Sequence, residues 1–140
     1  MRGNRGQFRL AGALLASWLL CAAAPAAAQN LRELVFFNDC DRPVRVLVHH
    51  AAEERAWTPH AWWTFQPRER SYLAWEERRL AHLDNHDLYF YAEATDGSRL
   101  VWDGRDAMAE WNGVQYPLRR ATPAVIEGNL QIRLTCGPAG

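Results

Sequence analysis

Apolar side chains recur at every second position along much of this chain, and that period limits the fold more than any other feature. Successive side chains on a strand point to opposite faces, so a period of two marks a strand with one buried face. Val44, Val46 and Val48 alternate with Arg45, Leu47 and His49. Near the C-terminus Leu130, Ile132, Leu134 and Cys136 share one face, and Gln131, Arg133 and Thr135 share the other. Leu34-Val35-Phe36-Phe37 is a short apolar strand, and Leu88 to Ala94 is dense in the aromatic residues that strands favour. Turn clusters separate these runs at Asn38 to Pro43, Gln66 to Arg70, Asp84 to Asp87 and Asp103-Gly104. Asp96-Gly97 is the strongest hairpin signal. Many short strands with frequent turns predict an all-β fold: one small antiparallel β-sandwich, or a partly open barrel, with few or no helices.

Finer expectations follow from the same pattern. The first two strands read as a hairpin across the Asn38 to Pro43 loop. Glu76 to Leu83 lacks a clean apolar face and reads as strand or irregular, with a helical turn as the alternative. Asp106 to Trp111 reads as a short helical turn. Val114 to Leu118 reads as an edge strand, because Pro117 cannot donate to a ladder.

The N-terminus is organised differently. Arg2, Arg5 and Arg9 stand without an acid, an apolar run extends from Leu10 to about Ala24, and Pro25-Ala26-Ala27-Ala28-Gln29 follows. That order predicts a helical signal peptide over 1–28, cleaved before Gln29, and a single domain over 29–140. The apolar run is shorter than the roughly 20 residues of a spanning helix. No stable membrane span is therefore expected after cleavage. Leu20 is too large to precede a lipidated Cys21. The expected destination is the periplasm or the extracellular space. The whole chain has sixteen basic and sixteen acidic residues. Losing three arginines with the leader leaves thirteen against sixteen, a net charge of −3. Such a domain has no basic field to offset phosphate, which argues against nucleic acid as a partner.

Two cysteines survive cleavage, Cys40 and Cys136. An even count in an exported chain reads as a disulfide, with two free thiols as the alternative. A loop of about 100 residues closed this way is worth roughly 4.7 kcal/mol in the chain-entropy model.

Three segments carry a family resemblance. They are Val35-Phe36-Phe37-Asn38-Asp39-Cys40 with the Pro43-Val44-Arg45-Val46 strand, then Trp57 with Ala61-Trp62-Trp63-Thr64-Phe65-Gln66-Pro67, and then Leu88 to Gly97 with Trp102 close behind. Together they resemble a bacterial family known as domain of unknown function 1036. That family usually has glycine where Ala61 stands. It also has a Pro-Gly turn and a cysteine where Pro67-Arg68-Glu69-Arg70 stands, and a second cysteine near Met108. Both of those cysteines are missing here, as if one bridge had been dropped and the other kept. The resemblance implies an exported domain and brings no catalytic residues.

Candidate chemistry is sparse. His82 and His86 are four apart with Asp84 and Asp87 beside them, which makes them weak metal candidates. A transition-metal site needs three or four convergent ligands, and this segment supplies two. His49 and His50 are neighbours on a strand and point to opposite faces. Asp103, Asp106 and Glu110 lack the middle ligands of a calcium loop. There is no Gly-x-Ser-x-Gly motif and no glycine-rich phosphate loop. No catalytic residue and no cofactor are expected. The tryptophans are the most unusual feature, six of them after cleavage. Trp57, Trp62 and Trp63 are candidate ligand-binding residues, since adjacent Trp62 and Trp63 cannot both face one side of a strand. The other reading is that the set fills the core. The expected function is a non-catalytic interaction module of the bacterial periplasm or cell envelope, with an envelope protein or a glycan as partner. The alternatives are a carbohydrate- or cell-wall-binding module using an exposed Trp, and a small metal-binding protein or metal-dependent enzyme using His82 and His86.

Overall fold

The computed structural model describes residues 30–137. The expected signal peptide, with Cys21 and Gln29, lies outside the described residues. The described chain is all-β, with thirteen strands and no helix. They are β1 (Leu31–Asp39), β2 (Val44–Glu53), β3 (Ala56–Phe65), β4 (Arg70–Tyr72), β5 (Ala74–Trp75), β6 (Arg78–Arg79) and β7 (Ala81–Leu83). Then follow β8 (Tyr89–Ala94), β9 (Val101–Trp102), β10 (Ala107–Trp111), β11 (Val114–Arg120), β12 (Ala124–Ile126) and β13 (Asn129–Thr135).

Eleven of these strands form two packed sheets, and β5 and β6 pair only with each other. The first has the order β12-β13-β1-β4, with β7 also pairing β1. The second has the order β10-β11-β8-β2-β3, with β9 also pairing β8. Alternation sorts the side chains as expected. Val44, Val46, Val48, Phe90 and Ala92 of the second sheet meet Leu34, Phe36, Leu130, Ile132 and Leu134 of the first. Phe36 and Phe65 stack across this core at 4.7 Å between ring centroids. The second sheet also curls, bringing its end strand β10 against β3 at the other end. The curl encloses a smaller apolar cluster of Leu47, Ala61, Tyr91, Ala109 and Leu118.

Several expectations are corrected. β1 and β2 are not a hairpin, because they belong to different sheets. The turn between them is held by Asn38, which is fully buried. Its Nδ2 donates to the Arg42 carbonyl at 2.8 Å and the Gln66 carbonyl at 3.0 Å, and its Oδ1 accepts from the Cys40 N–H at 3.2 Å. A buried amide with these partners steers the chain from one layer to the other. β1 instead runs parallel to β13, in register from Leu34 opposite Leu130 to Asp39 opposite Thr135. Asp106 to Trp111 is not a helical turn, since β10 pairs with β11 from Ala107 opposite Leu118 to Trp111 opposite Val114. β11 is not an edge strand either, because it lies between β10 and β8. Pro117 is accommodated because β11 meets β8 only at Arg119 and Arg120, and β9 takes over the β8 edge beyond. The Leu118 carbonyl accepts from the Asp106 N–H on the β10 side at 3.0 Å. The ring nitrogen of Pro117 therefore faces the other side, where no ladder remains.

The stretch 76–83 is not helical; it holds a turn at Glu76-Glu77 and the short strands β6 and β7. β4 and β7 lie along the same side of β1 and are joined through Leu73 and Leu80, which bond to each other and to Leu34. Between them the chain leaves the sheet as the β5–β6 hairpin. Glu76 and Glu77 form its tip, with φ of 47° and 64°, the left-handed geometry of a tight hairpin turn. The Asp96-Gly97 turn forms as expected, joining β8 and β9, with Gly97 at φ 82°.

Cys40 and Cys136 are bridged. They follow the last register pair of the parallel ladder, so the bridge fastens the ends of neighbouring strands that are 96 residues apart in sequence. Replacing both cysteines with alanine is expected to lower the unfolding free energy by about 2–5 kcal/mol. Urea unfolding of the oxidised protein and the double variant measures this. Equal midpoints would show that the sheet holds without the bridge.

Candidate functional site

The three candidate tryptophans do not form one platform. Trp62 is the extra residue of a bulge between Val46 opposite Trp63 and Leu47 opposite Ala61. It turns to the curled side, where it meets Tyr116 and Tyr91 edge-on at 5.2 and 6.1 Å. The Arg45 guanidinium lies over its ring at 4.3 Å. Trp63 turns to the main core and donates its Nε1–H to the Ala74 carbonyl at 2.9 Å. Trp57 lies apart, donating to the Asp87 carbonyl and stacking at 5.5 Å on His86. All six tryptophans of the described residues are half-buried. Trp75 links several of them. Carried out on the β5–β6 hairpin, it touches Trp63 and His60 of β3 and Trp111 of β10.

The histidines form a chain at one end of the core. His50 is buried, and its Nδ1–H donates to the Ala81 carbonyl at 2.8 Å. Its Nε2 is then an acceptor, and His60 Nδ1–H donates to it at 3.0 Å. His82 is 1% exposed. Its Nδ1 accepts from the Ala51 N–H at 2.9 Å, and its Nε2–H donates to the His86 carbonyl at 3.0 Å. Both His82 nitrogens are thus engaged by backbone. The His86 imidazole bonds Asn85 instead of approaching His82. The pair meets at a backbone carbonyl rather than at two free ring nitrogens. His49 and His50 do face opposite ways, and His49 packs on Tyr89 at 6.4 Å. Burial lowers the pKa of His49, His60 and His82, and pushes His50 down to about 4, helped by His60 and opposed by the Ala81 carbonyl.

At the other end, where the two sheets part, a cleft of about 390 Å³ separates β9 from β13. Its floor is core, made by Phe90, Ile132 and Leu134, and Trp102 forms one wall. The Trp102 Nε1–H donates across it to the Thr135 carbonyl at 3.1 Å. Leu100 and Val101 rim it and are 40% and 45% exposed. Arg119, Arg120 and Arg133 also line it, and among the described residues no carboxylate does. Arg133 pairs with Asp39, which Arg68 also contacts, and Arg133 is the main reason the Asp39 carboxyl sits below its usual range. Arg120 pairs with Asp87 at 3.2 Å. Arg119 donates its Nε–H to the Asp103 carbonyl and has no carboxylate partner among the described residues. Cleft volumes of this size hold small ligands or short chain segments. Apolar burial beside positive charge suits an amphipathic anion.

Sequence reasoning missed this cleft, because its arginines come from β11 and β13 and meet only through the packing of two sheets. It missed His60 as well. The signal for His60 was present in the β2–β3 pairing, since His60 opposite Val48 is the diagonal same-face neighbour of His50. No family model matches this chain, and no curated protein matches it. No helix of the described residues is long and apolar enough to cross a membrane.

The buried histidines make stability depend on pH. With its folded pKa near 4, His50 stays neutral in the native state while the unfolded chain takes up protons below about 6.5. The unfolded state then binds more protons, so stability is full above pH 6.5 and falls as pH drops toward 4. The loss from His50 is on the order of 2–3 kcal/mol. Urea unfolding at pH 7 and pH 4.5 measures it. His50→Asn keeps the donor to Ala81 without the titration and is expected to show a smaller fall.

Proposed function

We propose that this chain is an exported, non-catalytic binding module of the bacterial periplasm or cell envelope, and that it takes its ligand in the cleft between β9 and β13. The observation that carries this reading is the cleft itself: an apolar floor lined by three arginines, of which Arg119 has no carboxylate partner among the described residues, in a domain of net negative charge. Among the described residues its lining holds no histidine and no carboxylate, which supports burial and charge over proton transfer. The bridge supports export, because disulfides persist in oxidising compartments. The resemblance to domain of unknown function 1036 fits the same place of work.

The second reading is sugar stacking on a tryptophan. Trp62 favours it, being half-buried among Tyr91 and Tyr116, although Arg45 already lies over its ring. Metal binding through His82 and His86 draws less support, since backbone groups take both His82 nitrogens.

Capture from envelope extract tests the proposal. The oxidised protein is expected to retain a ligand that the Leu100→Asp variant loses, with both melting at nearly the same temperature, because Leu100 lies at the exposed rim and outside the buried core. Equal retention by both would place the site elsewhere. A glycan-array signal abolished by Trp62→Ala would favour the second reading.

A further inference from the structure

We propose that the cleft takes an extended acidic peptide, which adds to β13 as a new strand. This rests on the cleft being the binding site and adds the mode and the class of ligand.

The argument starts from where β12 ends. β12 covers β13 only as far as Ala124 opposite Gln131, while β1 runs beside β13 to Thr135. From Ile132 to Thr135, β13 therefore has a strand on one side and none on the other among the described residues. The turn at Glu127-Gly128 has two residues, which makes Ile126 and Asn129 the hydrogen-bonded closing pair. Alternation then turns the backbone groups of Gln131, Arg133 and Thr135 toward the β12 side. Trp102 reaches the Thr135 carbonyl from that side. The N–H and C=O of Arg133 and the N–H of Thr135 are left facing the cleft, with no backbone partner among the described residues.

The cleft runs along this same edge, since Ile132, Arg133, Leu134 and Thr135 all line it. Four residues at about 3.3 Å each give an edge of roughly 13 Å. A strand laid there would pair those backbone groups and place alternate side chains on the floor formed by Phe90, Ile132 and Leu134. A lipid chain would fill the floor and leave the edge unpaired. The charge selects among peptides. Arg119, Arg120 and Arg133 border the slot; Arg133 is paired with Asp39 and Arg120 with Asp87, while Arg119 has no carboxylate partner among the described residues. Carboxylates on the incoming strand match that border.

The test uses the oxidised, isotope-labelled protein and a blocked hexapeptide alternating valine with glutamate. The acidic peptide is expected to slow amide exchange at Arg133 and Thr135 about tenfold or more and to shift the Trp102 indole N–H signal. A valine–lysine counterpart, and an acidic peptide with its backbone N-methylated, are each expected to bind at least about tenfold more weakly. Binding that leaves those amides unprotected overturns strand addition, as does an unaffected N-methylated peptide. Equal affinity for the lysine peptide overturns the acidic preference. If the acidic peptide fails at millimolar concentration while dodecyl phosphate or a sulfated disaccharide shifts the same amides, the peptide proposal falls and the cleft reading stands. If Leu100→Asp also leaves envelope capture unchanged, the cleft reading falls with it.

Discussion

The parallel ladder between β1 and β13 is the constraint on which the rest of the fold depends. Parallel neighbours cannot be joined by a tight turn, so the whole chain must lie between them as the crossover. Here that crossover is nearly the entire domain, and it includes every strand of the second sheet. The ladder also sets the core, because Leu34 and Phe36 beside Leu130 and Ile132 form the apolar face on which the second sheet rests. The Cys40–Cys136 bridge closes the ladder just past its last pair. Asn38 then ties the end of β1 to the turn at Gln66 and to the crossing into β2, through bonds in a place where an unpaired amide would be costly.

The two ends of the sandwich are built differently. At one end the His50–His60 pair and His82 are closed by backbone partners, and Trp75 seals the gap between β3 and β10. At the other end β12 stops short, β9 is two residues long, and the sheets part over an apolar floor. This asymmetry places the proposed binding role at the β9–β13 end. The histidine end is occupied with holding itself together.

Much of the fold was legible in local pattern. Alternation placed β13 and the aromatic density placed β8, each within a residue of its observed bounds, and alternation placed the start of β2, which runs on past His49 to Glu53. Asp96-Gly97 made its hairpin, and the surviving cysteines made their bridge. What local pattern does not encode is which sheet a strand joins. The turn at Asn38 has hairpin residues, yet the burial of its amide makes it a crossing between layers. Pro117 weakened the reading of β11 because a proline signals an edge only if its strand is paired along its full length. The β5–β6 hairpin has too few residues to show a period, and its position depends on contacts made by Trp75. Alternation already set Trp62 and Trp63 on opposite faces, but it does not announce the bulge that turns Ala61 and Trp62 to the same side.

The place of β13 also has a consequence for the order of events in synthesis. β1 is the first described strand to be made and β13 the last, and they are neighbours. The central ladder of the first sheet therefore lacks one of its two strands until β13 is made. Loop closure over so long a separation, together with a sheet built from distant pairings, slows folding relative to folds built from local contacts. Until β13 arrives, the edge of β1 that it occupies stays unpaired. A topology of this kind postpones its own completion, which leaves an interval in which the chain can still be threaded, bound or cleaved as an unfolded strand.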